Sequence, residues 1–291
     1  MEYVRPFTFN GISFLIGAAS LLPVLLFMER RKKRARGDGS NGTVVCNSDP
    51  PVTVPLEPSP WRRVVPYGAV LGVILLFASN LQQFGVEATG SAGKSGFITS
   101  LYILLVPIFG IFLKRRAGLL VWFGAALAVI GLYFLSVPPG GLGGIGRGDI
   151  LLFAGAFFWA FHILAVDRFV TNADPLKLSF LQFFFCGAFC LVAAAVTGEP
   201  VSAGALLGVA PTALFRGVAA IGVAYTLQII GQRDVPPAKA SIIFSLESVF
   251  AAIGGAVLIH EIMSGRGYLG CALIFAGILL SQISRRPRVI G

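Results

Sequence analysis

PPAKASIIFSLESVFAAIGGAVLIHE, residues 236–261, is the stretch of sequence that decides the fold. Between Lys239 and His260 it holds apolar and small hydroxyl side chains and a single carboxylate, Glu247. About 20 such residues suffice for a helix to cross a bilayer. At 1.5 Å per residue, Glu247 would lie roughly 15 Å from the helix start, near the middle of a hydrocarbon core about 30 Å thick. A carboxylate at that depth is costly, so its presence indicates a specific requirement.

The composition of the whole chain indicates a membrane protein. Of its 291 residues, 56% are hydrophobic and 12% are charged, and the mean hydropathy is +0.83. The net charge of +10 comes largely from short basic clusters between apolar runs, at residues 29–36, 114–116 and 285–288. This distribution is typical of loops beside membrane spans. It argues against nucleic acid as a partner and favours membrane lipid.

The apolar runs predict an all-α polytopic membrane bundle with nine transmembrane helices. Residues 37–60, rich in Pro, Gly and Ser, are predicted to form a disordered cytoplasmic linker. A second loop, residues 138–148, divides the spans into two groups. The nine predicted spans lie near residues 7–27, 63–86, 91–113, 117–137, 149–170, 178–197, 208–231, 237–260 and 266–284.

The positive charges predict the orientation of the chain in the membrane. With the C-terminus in the cytoplasm, the cytoplasmic loops hold 18 of the 23 Lys and Arg residues. The opposite orientation would place most of this charge outside, which insertion disfavours. We therefore expect a multi-pass protein of the cell inner membrane with a cytoplasmic C-terminus. The loops concerned are residues 29–63, 114–116, 168–177, 233–239 and 285–288.

An internal repeat relates the two groups of spans. Residues 94–110 (KSGFITSLYILLVPIFG) align with residues 239–255 (KASIIFSLESVFAAIGG) at a constant shift of 145. Because each unit would contain five helices, an odd number, the two copies have opposite orientations, which is an architecture of transporters. Further matches pair Gly124 with Gly270, Gly131 with Gly277, Gln82 with Gln228, and Gly17 with Gly187.

The repeat predicts two domains of unequal size. Residues 1–137 form a first repeat of four helices, and residues 149–286 form a second repeat of five helices. The counterpart of the helix at residues 149–170 would precede Met1. The first repeat is therefore expected to lack its opening helix.

Several segments, in this order along the chain, resemble a known family. Together they are similar to bacterial members of the drug/metabolite transporter (DMT) superfamily, the EamA-type permeases, over nearly all of the chain outside residues 37–60. The segments are PFTFNGISFLIGAASLLPVL at residues 6–25, TGSAGKSGFITSLYILLVP at 89–107, GDILLFAGAFFWAFHILAVDRF at 148–169, AYTLQIIGQ at 224–232, ASIIFSLESVFAAIGGAVLIHE at 240–261 and GCALIFAGILL at 270–280.

The resemblance implies ten helices in two EamA repeats that act as a secondary permease or exporter of small metabolites. This chain departs from the family in its first helix, in its longer linker at residues 37–60, and at Ser13, where relatives often carry Arg. The alternative function is therefore that of a degenerate DMT paralogue that no longer transports, or of a membrane interaction subunit.

Glu247 is the leading candidate for a translocation residue. A helical wheel predicts that Glu247 projects away from a bulky stripe that faces lipid, toward the protein interior or a cavity. The stripe consists of Ile242, Leu246, Val249, Ile253 and Val257. A desolvated carboxylate can take up and release a proton near neutral pH, which would allow proton coupling. The other interpretation is a structural carboxylate that is hydrogen-bonded to neighbouring helices. Its repeat mate is Tyr102.

Further polar side chains within the spans are candidates for contact with the substrate. Repeat-related Gln82 and Gln228 could approach one cavity from two sides, or join helices by hydrogen bonds. Trp159 and His162 lie three residues apart on one helix face. This spacing predicts either that they line the substrate path or that they contact a neighbouring helix. Asn80, near Gln82, and Tyr225, one turn before Gln228, complete the set. For Lys94, Lys239 and Arg216, extension to the membrane interface is the expected role.

The sequence argues against an enzyme, a metal site and a cofactor. It has two His residues and no nucleophile beside a base, and Cys186 and Cys190 on one helix face lack further ligands, which favours packing. The expected partners are a small-molecule substrate and membrane lipid. A homodimer, which would cover small-residue faces of the first repeat, is kept as a hypothesis.

Overall fold

The computed structural model describes residues 4–37, 43–45, 53–55, 60–114, 117–258 and 264–283. Within these residues nine helical segments are long and apolar enough to cross a membrane, which confirms the nine predicted spans. The helices are α1 (Pro6–Gly37), α2 (Trp61–Thr89), α3 (Ala92–Ser100), α4 (Tyr102–Phe112), α5 (Leu119–Ser136), α6 (Arg147–Val170), α7 (Pro175–Val196), α8 (Ala203–Phe215), a π-helix (Arg216–Tyr225), α9 (Thr226–Gln232), α10 (Pro237–Phe244), α11 (Leu246–Leu258) and α12 (Gly265–Ile283).

Two short strands lie in the stretch between α1 and α2. β1 (Thr43–Val45) pairs antiparallel with β2 (Thr53–Pro55), with Val44 opposite Val54. The sequence predicts no regular structure here, because Pro and Gly dominate the composition. The rest of this stretch, residues 38–42, 46–52 and 56–59, lies outside the described residues.

The described helix starts follow ordinary capping chemistry. Asp174 accepts hydrogen bonds from the backbone N–H groups of Leu176 and Lys177, and Pro175 occupies the first helical position of α7. Asp149 lies in the first turn of α6 and accepts from Gly146 N–H at 2.7 Å. This is one half of a capping box, in which a carboxylate at the third helical position accepts from the N–H of the N-cap residue.

Two predicted spans are interrupted at their middle. The run at residues 91–113 breaks between α3 and α4 at Leu101, and the run from residue 237 breaks between α10 and α11 at Ser245. The two residues have nearly the same backbone, with φ and ψ of −60° and −12° at Leu101 and of −61° and −16° at Ser245. Each N–H bonds to the carbonyl three residues earlier, which is a single turn of 3₁₀ geometry.

The chain divides into two compact units. The first consists of Ile74–Arg168 together with the residues from Gly231 onward, and the second of the residues up to Val73 together with Phe169–Ile230. The helices α2 and α6 contribute to both.

In the first unit, glycines bring α5 and α12 into close contact. A Cβ atom on Gly131 would lie 2.6 Å from the carbonyl oxygen of Gly270, and one on Gly124 would lie 2.5 Å from that of Gly277. The repeat exchanges Gly124 with Gly270 and Gly131 with Gly277, so it converts one contact into the other. This reciprocity is expected of two inverted copies packed about a pseudo-two-fold axis.

In the second unit, α1 packs against α7 and the π-helix. The N-terminus of α1 is capped by Glu199, whose carboxylate accepts from Phe7 N–H at 3.1 Å and from Thr8 N–H at 2.8 Å. Farther along the same unit, Glu29 accepts from the Trp61 indole at 3.1 Å and lies 3.6 Å from the Lys177 ammonium. The N-termini of α2 and α7 and the basic end of α1 are therefore on one side, as the predicted orientation requires.

The predicted lipid-facing stripe of the eighth span is wrong for its first half. Ile242 and Val249 are buried in a cluster with Ile103 and Ile274 of the first unit. Bulky apolar side chains are as soluble in a protein interior as in lipid, so their size does not select the exposed face. Farther along α11, Val257 is 67% exposed, as predicted.

Candidate functional site

Glu247 lies in the first turn of α11, directly after the break at Ser245. Its side chain is exposed, as is that of Ala251 one turn later. Glu247 is therefore not enclosed within its own unit, and the predicted direction toward a cavity stays a prediction.

Tyr102, the repeat mate of Glu247, is the first residue of α4. It is half-buried and packs between two apolar clusters of the first unit, one around Ile103 and Ile242 and one around Val106 and Ile163. The repeat thus places both residues at the start of the second half of an interrupted span.

Gln82 and Trp159 are brought together in the first unit. The Trp159 indole N–H donates to Oε1 of Gln82 at 2.9 Å, which joins α6 to α2. The approach is close because Gly155 of α6 lies against this part of α2, where a Cβ would be 3.3 Å from Gln82 N. The bond corresponds to the helix-joining interpretation of Gln82 and to the interhelical interpretation of Trp159.

His162 and Asn80 are buried in the same unit. The ring of His162 is 2% exposed and meets the Trp159 ring edge-on, with 5.9 Å between the centroids. The amide of Asn80 donates to the Leu76 carbonyl of its own helix at 2.8 Å. Because this bond occupies an amide donor of Asn80 within α2, fewer hydrogen-bonding groups remain for a solute than the sequence predicts.

Tyr225 and Gln228 lie in the second unit and are half-buried. Tyr225 ends the π-helix, and its ring centroid is 6.4 Å from that of Phe183 on α7. Gln228 lies one turn later, in α9. The expectation that Gln228 and Gln82 approach one cavity stays a prediction.

The three cations expected at the membrane interface divide into two groups. Lys94 forms an ion pair with Asp149 at 2.8 Å, and Lys239 reaches the Gln282 carbonyl at 3.4 Å, both at helix ends. Arg216 lies deeper in its span than predicted, because the helical span begins at Ala203 rather than at residue 208. The span runs from Ala203 to Gln232, and Arg216 follows the 13 residues of α8.

The chain matches the EamA-like transporter family at residues 1–137 and 146–283. It is 30% identical over 224 residues to an uncharacterized transporter of Archaeoglobus fulgidus, an alignment that covers 74% of this chain and 68% of the relative. It is 24% identical over 300 residues to the uncharacterized transporter YyaM of Bacillus subtilis, covering 98% and 88% of the two chains.

Two further similarities concern a named exporter and a solved structure. The threonine/homoserine exporter RhtA of Salmonella typhimurium is 24% identical over 182 residues, which cover 62% of this chain and 60% of the exporter. A crystal structure superposes with a TM-score of 0.68 at 20% identity and covers 96% of this chain and 88% of that one. The structural similarity shows that the two chains share a fold over nearly the whole of this chain.

Proposed function

This chain belongs to the EamA-like transporter family, and we propose that it is a secondary transporter that moves small metabolites across the bacterial inner membrane. Family membership and the nine apolar helices among the described residues make it a multi-pass membrane transporter. The transported solute, the coupling to protons and the role of Glu247 belong to the proposal.

The exposed carboxylate of Glu247 halfway along an apolar span carries the proposal. A carboxylate in contact with lipid is strongly unfavourable, so exposure at this depth supports a polar path beside α11. Interrupted helices are a common way for transporters to build a midplane site, because their ends present backbone dipoles to the solute. The matching breaks at Leu101 and Ser245 fit this arrangement.

Proton coupling follows from the chemistry available at Glu247. In the ionised form the carboxylate attracts a cationic group of a solute, and in the protonated form it releases that group. Exchange between the two forms, on opposite sides of the membrane, links movement of a proton to movement of the solute. Because one group of relatives is named as exporters of threonine and homoserine, amino acids and amines form the first panel of solutes.

A transport assay with a matched pair of variants tests the proposal. The full-length protein is reconstituted in liposomes, and uptake of amino acids and amines is measured with an imposed pH gradient. Wild type is expected to move at least one solute, and Glu247→Gln is expected to lose about 100-fold or more of that rate, in keeping with a group that acts in every cycle. The control is Glu87→Gln, because Glu87 is an exposed carboxylate near the end of α2.

Two results would count against the proposal. Equal transport by wild type and Glu247→Gln would remove Glu247 from the translocation path. If the wild-type protein inserts correctly but moves no solute of the panel, the result would favour the interpretation as a degenerate paralogue.

A further inference from the structure

We propose that Arg216, in the second unit, binds the carboxylate group of the transported solute. This inference rests on the proposed transport function and adds a chemical class of substrate to it. It is carried by the placement of Arg216, by the neutral character of its partners and by the geometry of the guanidinium.

Arg216 is a cation halfway along an apolar span. It follows the 13 residues of α8 and opens the ten-residue π-helix, within a span of 30 residues from Ala203 to Gln232. No other Asp, Glu, Lys or Arg lies in this span. Arginine stays protonated in proteins, so the span must accommodate a full positive charge near its middle.

The groups that contact this cation are neutral. One guanidinium nitrogen donates to Oδ1 of Asn10 on α1 at 2.6 Å, and the guanidinium carbon lies 5.2 Å from the centroid of the Phe9 ring. The phenol of Tyr225 and the thiols of Cys186 and Cys190 are close enough to interact electrostatically with the guanidinium, and none of them is a carboxylate. Among the described residues Arg216 has no carboxylate partner.

This arrangement holds the guanidinium in place without neutralising it. Asn10 is fully buried and fixes one nitrogen, while Arg216 itself is half-buried. A guanidinium has five N–H donors in a fixed plane, and one bond to Asn10 leaves donors for a second group. A planar carboxylate matches that fork with two parallel hydrogen bonds.

The backbone around Arg216 also supports a site rather than a chance location. A π-helix is rare, is frequently found at functional sites, and here begins at Arg216. The next residue, Gly217, packs against α1 so closely that a Cβ would lie 2.6 Å from the Ile16 side chain. The contact fixes the start of the π-helix against α1, and so keeps Arg216 beside Asn10.

Binding measurements on the full-length protein test the inference independently of transport. Wild type, Arg216→Gln and Arg216→Lys are placed in nanodiscs of phosphatidylcholine, and dissociation constants are obtained from the shift of the unfolding temperature. The probes are alanine, threonine and lysine, each beside its methyl ester, which keeps the amine and removes the anion. Sodium chloride and nanodiscs that contain phosphatidylglycerol test the two other sources of an anion.

The free acids are expected to bind wild type at least about 10-fold more tightly than their esters. Arg216→Gln is expected to lose about 10-fold to 100-fold in affinity for the acids, the range of a charge-assisted hydrogen bond. Arg216→Lys should lose less, because it keeps the charge without the fork. Arg233→Gln, which removes an exposed charge just beyond α9, should bind as wild type does.

Each other result overturns the inference. These results are equal binding of acids and esters, no binding of any acid to wild type, an unchanged affinity in Arg216→Gln, and stabilisation by chloride or phosphatidylglycerol alone. Binding that depends on Arg216 in a protein that moves no solute would retain the site and reject transport. Transport that is unaffected by Arg216→Gln would retain the transport function and reject the carboxylate site at Arg216.

Discussion

At the scale of single residues, both mid-span charges coincide with a local departure from α-helical geometry. Glu247 follows the 3₁₀ turn at Ser245, and Arg216 is the first residue of the π-helix. A regular helix uses its backbone N–H and C=O groups internally, and in lipid no water replaces them. Departures of this kind leave backbone dipoles that can stabilise a charge or a solute. The two charges are thus placed where the backbone itself is polar.

The hydrogen bond between Gln82 and Trp159 gives a prediction about stability. Trp159→Phe keeps an aromatic ring but removes the indole N–H, which donates to Gln82 Oε1 at 2.9 Å. An acceptor left without its donor in a partly buried position costs roughly 1–3 kcal/mol. We expect a lower unfolding temperature for Trp159→Phe, measured in detergent by thermal denaturation. The indole of Trp122 makes no hydrogen bond within the described chain, so Trp122→Phe should change the unfolding temperature little.

A double-mutant cycle isolates that bond from the packing of the two side chains. With Gln82→Leu as the second variant, the coupling free energy should be about 1 kcal/mol in favour of the pair. A coupling near zero would mean that the bond does not contribute to stability. A large loss of transport in both variants without a loss of stability would instead assign Gln82 and Trp159 to the substrate path.

At the scale of the helix, the interrupted spans could not be predicted from the residues at which they break. Neither Leu101 nor Ser245 is a Gly or Pro, the residues that usually interrupt a helix, so the apolar runs predict continuous helices. The break at Ser245 is supported locally, because its hydroxyl donates to the Ile242 carbonyl. Leu101 has no such group, yet its backbone is the same. The repeat, rather than the local sequence, is the signal that links the two breaks.

Replacement of glycine by alanine is predicted to have opposite effects at Gly131, where α5 contacts α12, and at Gly96 of α3. Alanine favours a helix over glycine, which by itself stabilises by up to about 1 kcal/mol at either position. At Gly131 the added methyl group would lie 2.6 Å from a backbone oxygen of Gly270, and overpacking of this kind costs roughly 1–3 kcal/mol. At Gly96 of α3 no atom lies within 4 Å of the added group, apart from its chain neighbours and the backbone of its own helix.

Gly131→Ala should therefore unfold at a lower temperature than wild type, and Gly96→Ala at the same or a slightly higher temperature. Thermal unfolding of both variants, with monodispersity checked by size-exclusion chromatography, measures the difference. Equal stability of the two variants would show that α5 and α12 separate enough to accept a methyl group.

At the scale of the whole molecule, the sequence predicts which segments cross the membrane better than which faces meet lipid. Apolar length and basic loops identify the nine spans, because water and lipid differ sharply as solvents. Lipid and the protein interior do not differ in this way, and so the buried positions of Ile242 and Val249 were predicted wrongly. For the same reason the polar candidates, which lie on several helices, could be recognised singly but not assembled into a site.

Orientation in the membrane follows from the positive loops and can be tested at two exposed residues. Ile145, in the loop between α5 and α6, is 88% exposed and is predicted to face the outside. Asp234, between α9 and α10, is also exposed and is predicted to face the cytoplasm. In a chain whose four cysteines are replaced by alanine, Ile145→Cys should react with an impermeant maleimide in intact cells. Asp234→Cys should react only after permeabilisation, and the reverse pattern would place the C-terminus outside.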